Sequence, residues 1–364
     1  MVASSLVQRQ QALQTWAVQQ LATLGLGELR GDIAAVSGDA SFRRYFRGHT
    51  ATASLMLVDA PPDKENSRPF IDVDQRLLDA SVRVPQLLAA DPGLGFMCLE
   101  DFGDTLLWPA LWQARHTMDY SSARQLYQRC FDELLLIQQA EARHPPLPLY
   151  DAALLLREMR LFSEWFCAGL LKLTLPPAEQ ALVEAAFSVL CDSALQQQQV
   201  FVHRDYHCRN LMLLNEPGTA IGVIDFQDAV LGPVTYDLVS LLKDCYIEWP
   251  RAEVREWALA YAGQAQARGV LQQLQPDRFL REFDLMGAQR HIKILGIFSR
   301  LWLRDGKPGY LKDIPLTLRY LQQVAGEQPQ LQEFAHWLDS RVAPLVPAAL
   351  AAAEAAAHHH GGLR

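Results

Sequence analysis

The segment His203-Arg204-Asp205-Tyr206-His207-Cys208-Arg209-Asn210 sets an asparagine five residues after an aspartate, and Ile224-Asp225-Phe226 brings a second aspartate fifteen residues further on. Phosphoryl transfer needs this set. A metal must bridge the phosphate oxygens and offset their charge, and a carboxylate must orient the attacking hydroxyl and take its proton. An asparagine offers a neutral oxygen and an aspartate a charged one, and both suit the hard cation Mg²⁺. Asp205 is therefore the expected base, with Asn210 and Asp225 the expected magnesium ligands. Aspartate and asparagine in loops often bond their own backbone instead. The full spacing, with a second aspartate closing an apolar run, argues against that here. His203 is expected to brace the loop rather than to react.

These residues need strands on either side of a loop, and the chain supplies them. Val200-Phe201-Val202 runs into the polar segment, and Leu211 to Leu214 and Ile221 to Ile224 are two further apolar runs. Upstream, residues 5–25 have helical apolar spacing through Leu6, Leu13, Trp16, Ala17, Leu21 and Leu24. Strand-like runs follow at Ile33–Val36, Phe42–Arg47 and Leu55–Val58, then a helical stretch over 70–80. Asp91-Pro92-Gly93 is a turn between two further strands, the second ending in Phe96–Leu99. From about 105 to 200, and again from 236, the chain reads as helical, with apolar amphipathic stretches near 123–140, 152–172, 177–198 and 284–303. The expected division is a five-stranded β-rich lobe over 1–98, a connector over 99–103, a helical lobe over 104–342, and an alanine-rich tail over 343–364, disordered or partly helical. The tail histidines, His358 to His360, are expected to be solvated rather than metal-binding.

Composition narrows the function classes. Across 364 residues the formal charge is -8, which argues against nucleic-acid binding. The six cysteines form no C-x-x-C pair and read as reduced thiols. No signal-peptide pattern or 20-residue apolar span is present in the sequence. A cytoplasmic enzyme with neither membrane nor nucleic-acid partner is the expectation, with a monomer favoured.

The chain resembles the aminoglycoside phosphotransferase and choline kinase-like family. The match rests on His203–Asn210, on Gly222-Val223-Ile224-Asp225-Phe226, and on Gly232-Pro233-x-x-Tyr236-Asp237-Leu238. The resemblance implies an α+β, bilobal, protein-kinase-like fold with a small β-rich N-terminal lobe, an ATP and Mg²⁺ requirement, and a structural role for Asp237 in pinning the catalytic loop. Three further stretches are similar to a bacterial branch of that family that phosphorylates amino sugars at the anomeric carbon in peptidoglycan recycling: Gly38–Arg47, Val58-Asp59-Ala60-Pro61-Pro62, and Ile292–Arg300 with Arg304–Lys307. The resemblance thus implies transfer of the γ-phosphoryl group to C1 of N-acetylmuramate or N-acetylglucosamine. Another hydroxyl acceptor (an aminoglycoside, choline, a different sugar), or a nucleotide-binding pseudokinase, remains open.

The sequence departs from the kinase pattern at the phosphates. Ser37-Gly38-Asp39-Ala40-Ser41 stands where a glycine-rich loop belongs, with one glycine. The strand that should carry a lysine reads Leu55-Met56-Leu57-Val58-Asp59, and the lone lysine of residues 1–107 is Lys64. Arg43 or Arg44 could supply the cation, since a guanidinium suits phosphate oxygens. Strand alternation lets only one of the two face the nucleotide. Leu99, Glu100 and Phe102 lie in the connector where adenine would bond the backbone. For the acceptor the candidates are His207, Arg209, Gln227, Asp228 and Arg300. Arg300 stands on an apolar helix, where an arginine needs a partner such as a carboxylate, or a snorkelling path to water.

Overall fold

A computed structural model describes residues 2–36, 42–214 and 221–361. The chain divides into two compact units, residues 1–109 with 209–229, and residues 110–208 with 230–364.

The first unit is built on helix α1 (Val2–Leu24), strands β1 (Ala34–Val36), β2 (Arg44–His49) and β3 (Ser54–Asp59), helix α2 (Arg68–Asp79), and strands β4 (Leu87–Asp91) and β5 (Phe96–Glu100). The strands form an antiparallel sheet in the order β1-β2-β3-β5-β4. Leu13, Trp16, Ala17 and Leu21 recur on one face of α1 and are buried against Ile33, Phe46, Leu55, Leu57, Phe96 and Cys98. The β4–β5 hairpin turns at Gly95, which has φ +72° and whose Cβ would meet the Ala60 carbonyl oxygen at 1.9 Å. Only glycine suits both the left-handed backbone and that approach.

Residues 209–229 join this unit, as do residues 99–109, where composition alone drew a connector and the start of a helical lobe. Backbone bonds give the reason. Leu213 N–H donates to the Thr105 carbonyl and Val223 N–H to the Arg83 carbonyl, each at 2.8 Å.

Helix α3 (Leu107–His116) carries the chain into the second unit, followed by α4 (Tyr120–Gln139), α5 (Ala152–Leu161) and α6 (Pro177–Leu195). Asp119 and Asp151 cap α4 and α5, accepting from Ser122 N–H and Leu154 N–H. α5 runs on as a π-helical stretch over Phe162–Leu170. The loop that carries Asp205 begins in this unit after strand β6 (Gln199–Val202). Strands β7 (Leu211–Leu213) and β8 (Ile221–Val223) form a hairpin within the first unit, and β9 (Val230–Pro233) pairs antiparallel with β6 in the second. Then come α7 (Tyr236–Leu242), α8 (Arg251–Ala267), α9 (Pro276–Leu303), α10 (Ile314–Glu327), α11 (Gln332–Trp337) and α12 (Val346–Gly361). The alanine-rich tail is thus helical over most of its described length, as its composition favours.

α9 is the spine of the helical unit. It packs on α5, α6, α7, α10 and the π-helical stretch, which explains why it is apolar on nearly every side. All six cysteines are buried. No helix among the described residues is long and apolar enough to cross a membrane.

Gly296 lets α9 approach α5: a Cβ there would sit 2.4 Å from the Leu161 carbonyl carbon. Backbone cannot rotate away as a flexible side chain can. Gly296→Ala should therefore cost about 3 kcal/mol, seen as a lower melting temperature; an unchanged melting temperature would contradict the packing described.

Candidate active site

The base candidate sits in the helical unit. After β6 the chain turns sharply at Arg204, whose φ is +77°, a left-handed conformation that a side chain of this size rarely adopts. Asp237, at the start of α7 and fully buried, offsets that cost. Its two carboxylate oxygens accept the backbone N–H groups of His203 at 2.7 Å and Arg204 at 3.0 Å. Burial pushes the Asp237 carboxyl up to about 7 against the pull of those two donors. His203 contributes from its ring, where Nδ1 accepts the Asp205 N–H at 3.2 Å. The brace expected of His203 and the pin expected of Asp237 thus have specific partners.

Beneath Asp205 lies a cluster of buried charges. Glu158 of α5 accepts Arg204 at 2.5 Å and Lys293 of α9 at 3.1 Å, and also the Tyr150 hydroxyl. Lys293 donates further to the Tyr236 hydroxyl at 3.0 Å. Arg290, one helical turn before Lys293, donates to Ser240 Oγ at 2.6 Å. Burial works against ionisation of Asp205, but the fields of Lys293, His207, Arg290 and Arg204 hold its carboxyl below the usual value. Asp205 is therefore a carboxylate at neutral pH, ready to accept a proton but a weak base.

The metal candidates sit in the other unit, at the two inner ends of the β7–β8 hairpin. Asn210 immediately precedes β7, and Asp225 lies two residues past β8. Asn210 Nδ2 donates to Asp225 Oδ2 at 3.2 Å, and Gln227 Nε2 donates to Asp225 Oδ1 at 2.8 Å. The Asn210 amide also carries an oxygen, the kind of donor a hard cation takes. Asp225 has φ +67°, a second left-handed non-glycine residue at a candidate reactive position. An amide and a carboxylate would suit Mg²⁺, a hard cation that takes oxygen ligands.

The two arginines before β3 separate as strand alternation requires. Arg44 lies opposite Asp59 across the β2–β3 pair and grips its fully buried carboxylate together with Arg9 of α1. Arg43 points elsewhere. It is buried, pairs with Glu65 at 3.5 Å, and lies 5.9 Å over the Phe70 ring. Phe70 in turn packs 4.8 Å from Phe226, the residue after Asp225. Arg43, not Arg44, leads through Phe70 to Phe226, the neighbour of Asp225.

The other candidates scatter. Ser37, Gly38, Asp39, Ala40 and Ser41 lie outside the described residues. Leu99 is buried within β5. Glu100 forms a bidentate pair with Arg83 at 2.7 and 2.6 Å. Phe102 lies under the Arg83 guanidinium at 4.5 Å and against Gly222, where a Cβ would strike the Phe102 ring at 2.6 Å. His207 packs edge-on to Tyr246 in the helical unit. Arg209 lies in the first unit, 5.5 Å over Trp108. Gln227 is engaged with Asp225, as above, and Asp228 is exposed. Arg300, two turns beyond Lys293, has Arg304 and Asp305 as its charged neighbours. Asp305 is taken in bidentate fashion by Arg304.

Sequence reasoning passed over Glu158, Arg290 and Lys293. The signal was the one that picked out Arg300, a charge inside an apolar helix, and it recurs at Arg290 and Lys293.

These features are those of a kinase-like phosphotransferase, and the phosphotransferase enzyme family, often shortened to APH, matches residues 32–276. The chain belongs to that family. It is 44% identical over 330 residues to a Pseudomonas putida protein named N-acetylmuramate/N-acetylglucosamine kinase, covering 89% of this chain and 94% of that one. A Pseudomonas aeruginosa protein of the same name is 41% identical, covering 87% and 90%. Among solved structures, a Plasmodium vivax ethanolamine kinase superposes with a TM-score of 0.58 at 11% identity, over 79% of this chain and 81% of that one. An ADP-bound aminoglycoside phosphotransferase does so with a TM-score of 0.50 at 13% identity, over 81% and 94%. At such identities the likeness is one of fold. The protein is a kinase that uses a nucleotide.

Asp237→Ala would strip two N–H groups of their acceptor, at about 1–3 kcal/mol each when buried, and release the strained turn at Arg204. The expected result is a clearly lowered melting temperature together with loss of turnover. Asp237→Asn, which keeps one acceptor oxygen, should fall between wild type and alanine. Equal melting temperatures for all three would remove the pin.

Proposed function

We propose that this chain transfers the γ-phosphoryl group of ATP, with Mg²⁺, to the anomeric hydroxyl of N-acetylmuramate or N-acetylglucosamine, a step in the reuse of cell-wall sugars. The observation that carries the reading is the 44% identity, spread over 94% of the Pseudomonas putida protein's length, to a kinase named for those two sugars. In the reaction the sugar O1 attacks the γ-phosphorus. The O1–P bond forms as the bond to the β,γ-bridging oxygen breaks, ADP leaves, and the O1 proton passes to the Asp205 carboxylate. An anomeric hydroxyl is more acidic than an ordinary alcohol. It therefore suits a base whose proton affinity the cations around it keep low.

Asn210 and Asp225 would hold the magnesium, which when bound offsets charge on the transferring phosphoryl group. Gln227 then acts as a positioning residue, fixing the Asp225 carboxylate through its amide. Arg43 supplies the phosphate-directed cation in place of the absent strand lysine, with Glu65 as its acidic partner. Its burial and its stacking towards Phe226 support this over Arg44, whose guanidinium is committed to Asp59.

The first test is ³¹P NMR of the protein with ATP, Mg²⁺ and N-acetylmuramate. A sugar-1-phosphate signal that EDTA abolishes is expected, and ATP binding without any such product would sink the acceptor assignment. Asp205→Asn should lower kcat by roughly 10²–10⁴-fold while sparing ATP binding; a variant as fast as wild type would remove Asp205 as base.

The two arginines should part company. Arg43→Met should raise the KM for ATP by about tenfold or more, the loss of a charge-assisted phosphate contact. Arg44→Met should instead lower the melting temperature, by exposing a buried carboxylate to a single partner, and leave the KM for ATP nearly unchanged. The reverse pattern would reassign the role to Arg44.

A further inference from the structure

Arg204 is held from two sides. Asp237 takes its backbone N–H at 3.0 Å. Its guanidinium donates to Glu158 Oε1 at 2.5 Å and lies 5.8 Å over the Tyr150 ring. Glu158 is buried and has partners from three parts of the helical unit: Arg204 of the loop, Lys293 of α9 at 3.1 Å, and the hydroxyl of Tyr150 just ahead of α5. Burial works against its ionisation, but the cations Lys293 and Arg204 and the Tyr150 hydroxyl hold its carboxyl below the usual value.

Packing sets the place of this carboxylate. Leu161 comes three residues after Glu158, and Gly296 three residues after Lys293. A Cβ on Gly296 would fall 2.4 Å from the Leu161 carbonyl carbon, so α5 and α9 meet backbone to backbone about one turn beyond the ion pair. Tyr150 is fixed in turn by its N–H, which donates to the Leu231 carbonyl of β9 at 2.9 Å. Its ring meets that of Tyr236, the residue before Asp237, at 5.1 Å.

The Asp237 bonds hold the chain only as far as the Arg204 nitrogen. Rotation about the next bond, N–Cα, decides where Asp205 goes. The side chain leaves from that Cα, so gripping the guanidinium as well as the nitrogen restrains the left-handed φ of +77°. His203 Nδ1, accepting the Asp205 N–H at 3.2 Å, adds a further restraint on the far side.

We propose that Glu158 is a positioning residue for phosphoryl transfer: through Arg204 it sets the turn that presents Asp205, and it raises turnover without touching a substrate. The assignment rests on the reading of Asp205 as the base towards a sugar hydroxyl. Displacing a reacting group by about 1 Å costs roughly a hundredfold in rate, so a loosened turn is expected to show in kcat.

The test is a double-mutant cycle on the full-length protein, with kcat and KM measured for ATP and for N-acetylmuramate and N-acetylglucosamine. Glu158→Gln keeps the shape and removes the charge. Arg204→Met breaks the same contact from the other end and leaves Glu158 its bonds to Lys293 and Tyr150. Each should lower kcat by about tenfold to a hundredfold with the KM for ATP near the wild-type value. The double variant should be no slower than the slower single one, because both changes remove one interaction. The contact uses one terminal guanidinium nitrogen, so Arg204→Lys should recover part of the loss. Losses that multiply in the double variant would overturn the assignment. So would a Glu158→Gln protein with a lowered melting temperature and wild-type kcat. Should that variant fail to fold, wild-type kcat in Arg204→Met would overturn it equally. Any of these results in a protein that phosphorylates the two sugars would sink this inference alone. Inactivity of the wild type on both sugars would overturn the acceptor reading and this assignment with it.

Discussion

The carboxylate of Asp237 accepts two successive backbone N–H groups at the point where the chain leaves β6, and the site is organised from that contact. It allows Arg204 to stay in a left-handed turn. The turn sends the Arg204 side chain down to Glu158 while the next residue, Asp205, faces the field of Lys293 and Arg290. The strain at Arg204 persists only because its surroundings over-determine it. The same burial that raises the Asp237 carboxyl also keeps water from competing for those two N–H groups.

Charge has been redistributed in the sheet unit by a similar economy of partners. β3 carries an aspartate, Asp59, near the place where kinases of this fold carry a lysine. Its full burial demands partners, and Arg9 and Arg44 provide them. That arrangement ties α1 to the sheet and commits the Arg44 guanidinium to Asp59. The phosphate-directed cation we propose is then the preceding residue, Arg43, which pairs with Glu65 instead.

Much of this was legible in the sequence. The five strands, and helical stretches near 5–25, 123–140 and 284–303 where the structure has α1, α4 and α9, follow from periodicity and turn chemistry, and the spacing from Asp205 to Asn210 and Asp225 is what singled those residues out as candidates. What periodicity could not show is which partner a side chain finds. Arg43 and Arg44 are equivalent as letters, and only the register that sets Arg44 opposite Asp59 separates them. Gln227 looked available to an acceptor because nothing in the sequence reveals its bond to Asp225. The grouping of 209–229 with the sheet unit depends on backbone bonds to residues 83 and 105, more than a hundred positions earlier. Arg290 and Lys293 were hidden in a helix so apolar that it read as core, which it is, charges included.

The buried cysteines give the molecule a built-in reporter of its own breathing. Cys98 lies in the sheet unit, and Cys130, Cys167, Cys191, Cys208 and Cys245 lie in the helical one. Burial raises the Cys98 thiol to about 11 and pushes Cys130, Cys167, Cys191 and Cys245 upward as well. Both reach and reactivity are therefore denied to an alkylating reagent until the surrounding structure opens. Thiol modification followed residue by residue would time the opening of each unit separately, and nucleotide or sugar added beforehand would show which unit each of them steadies.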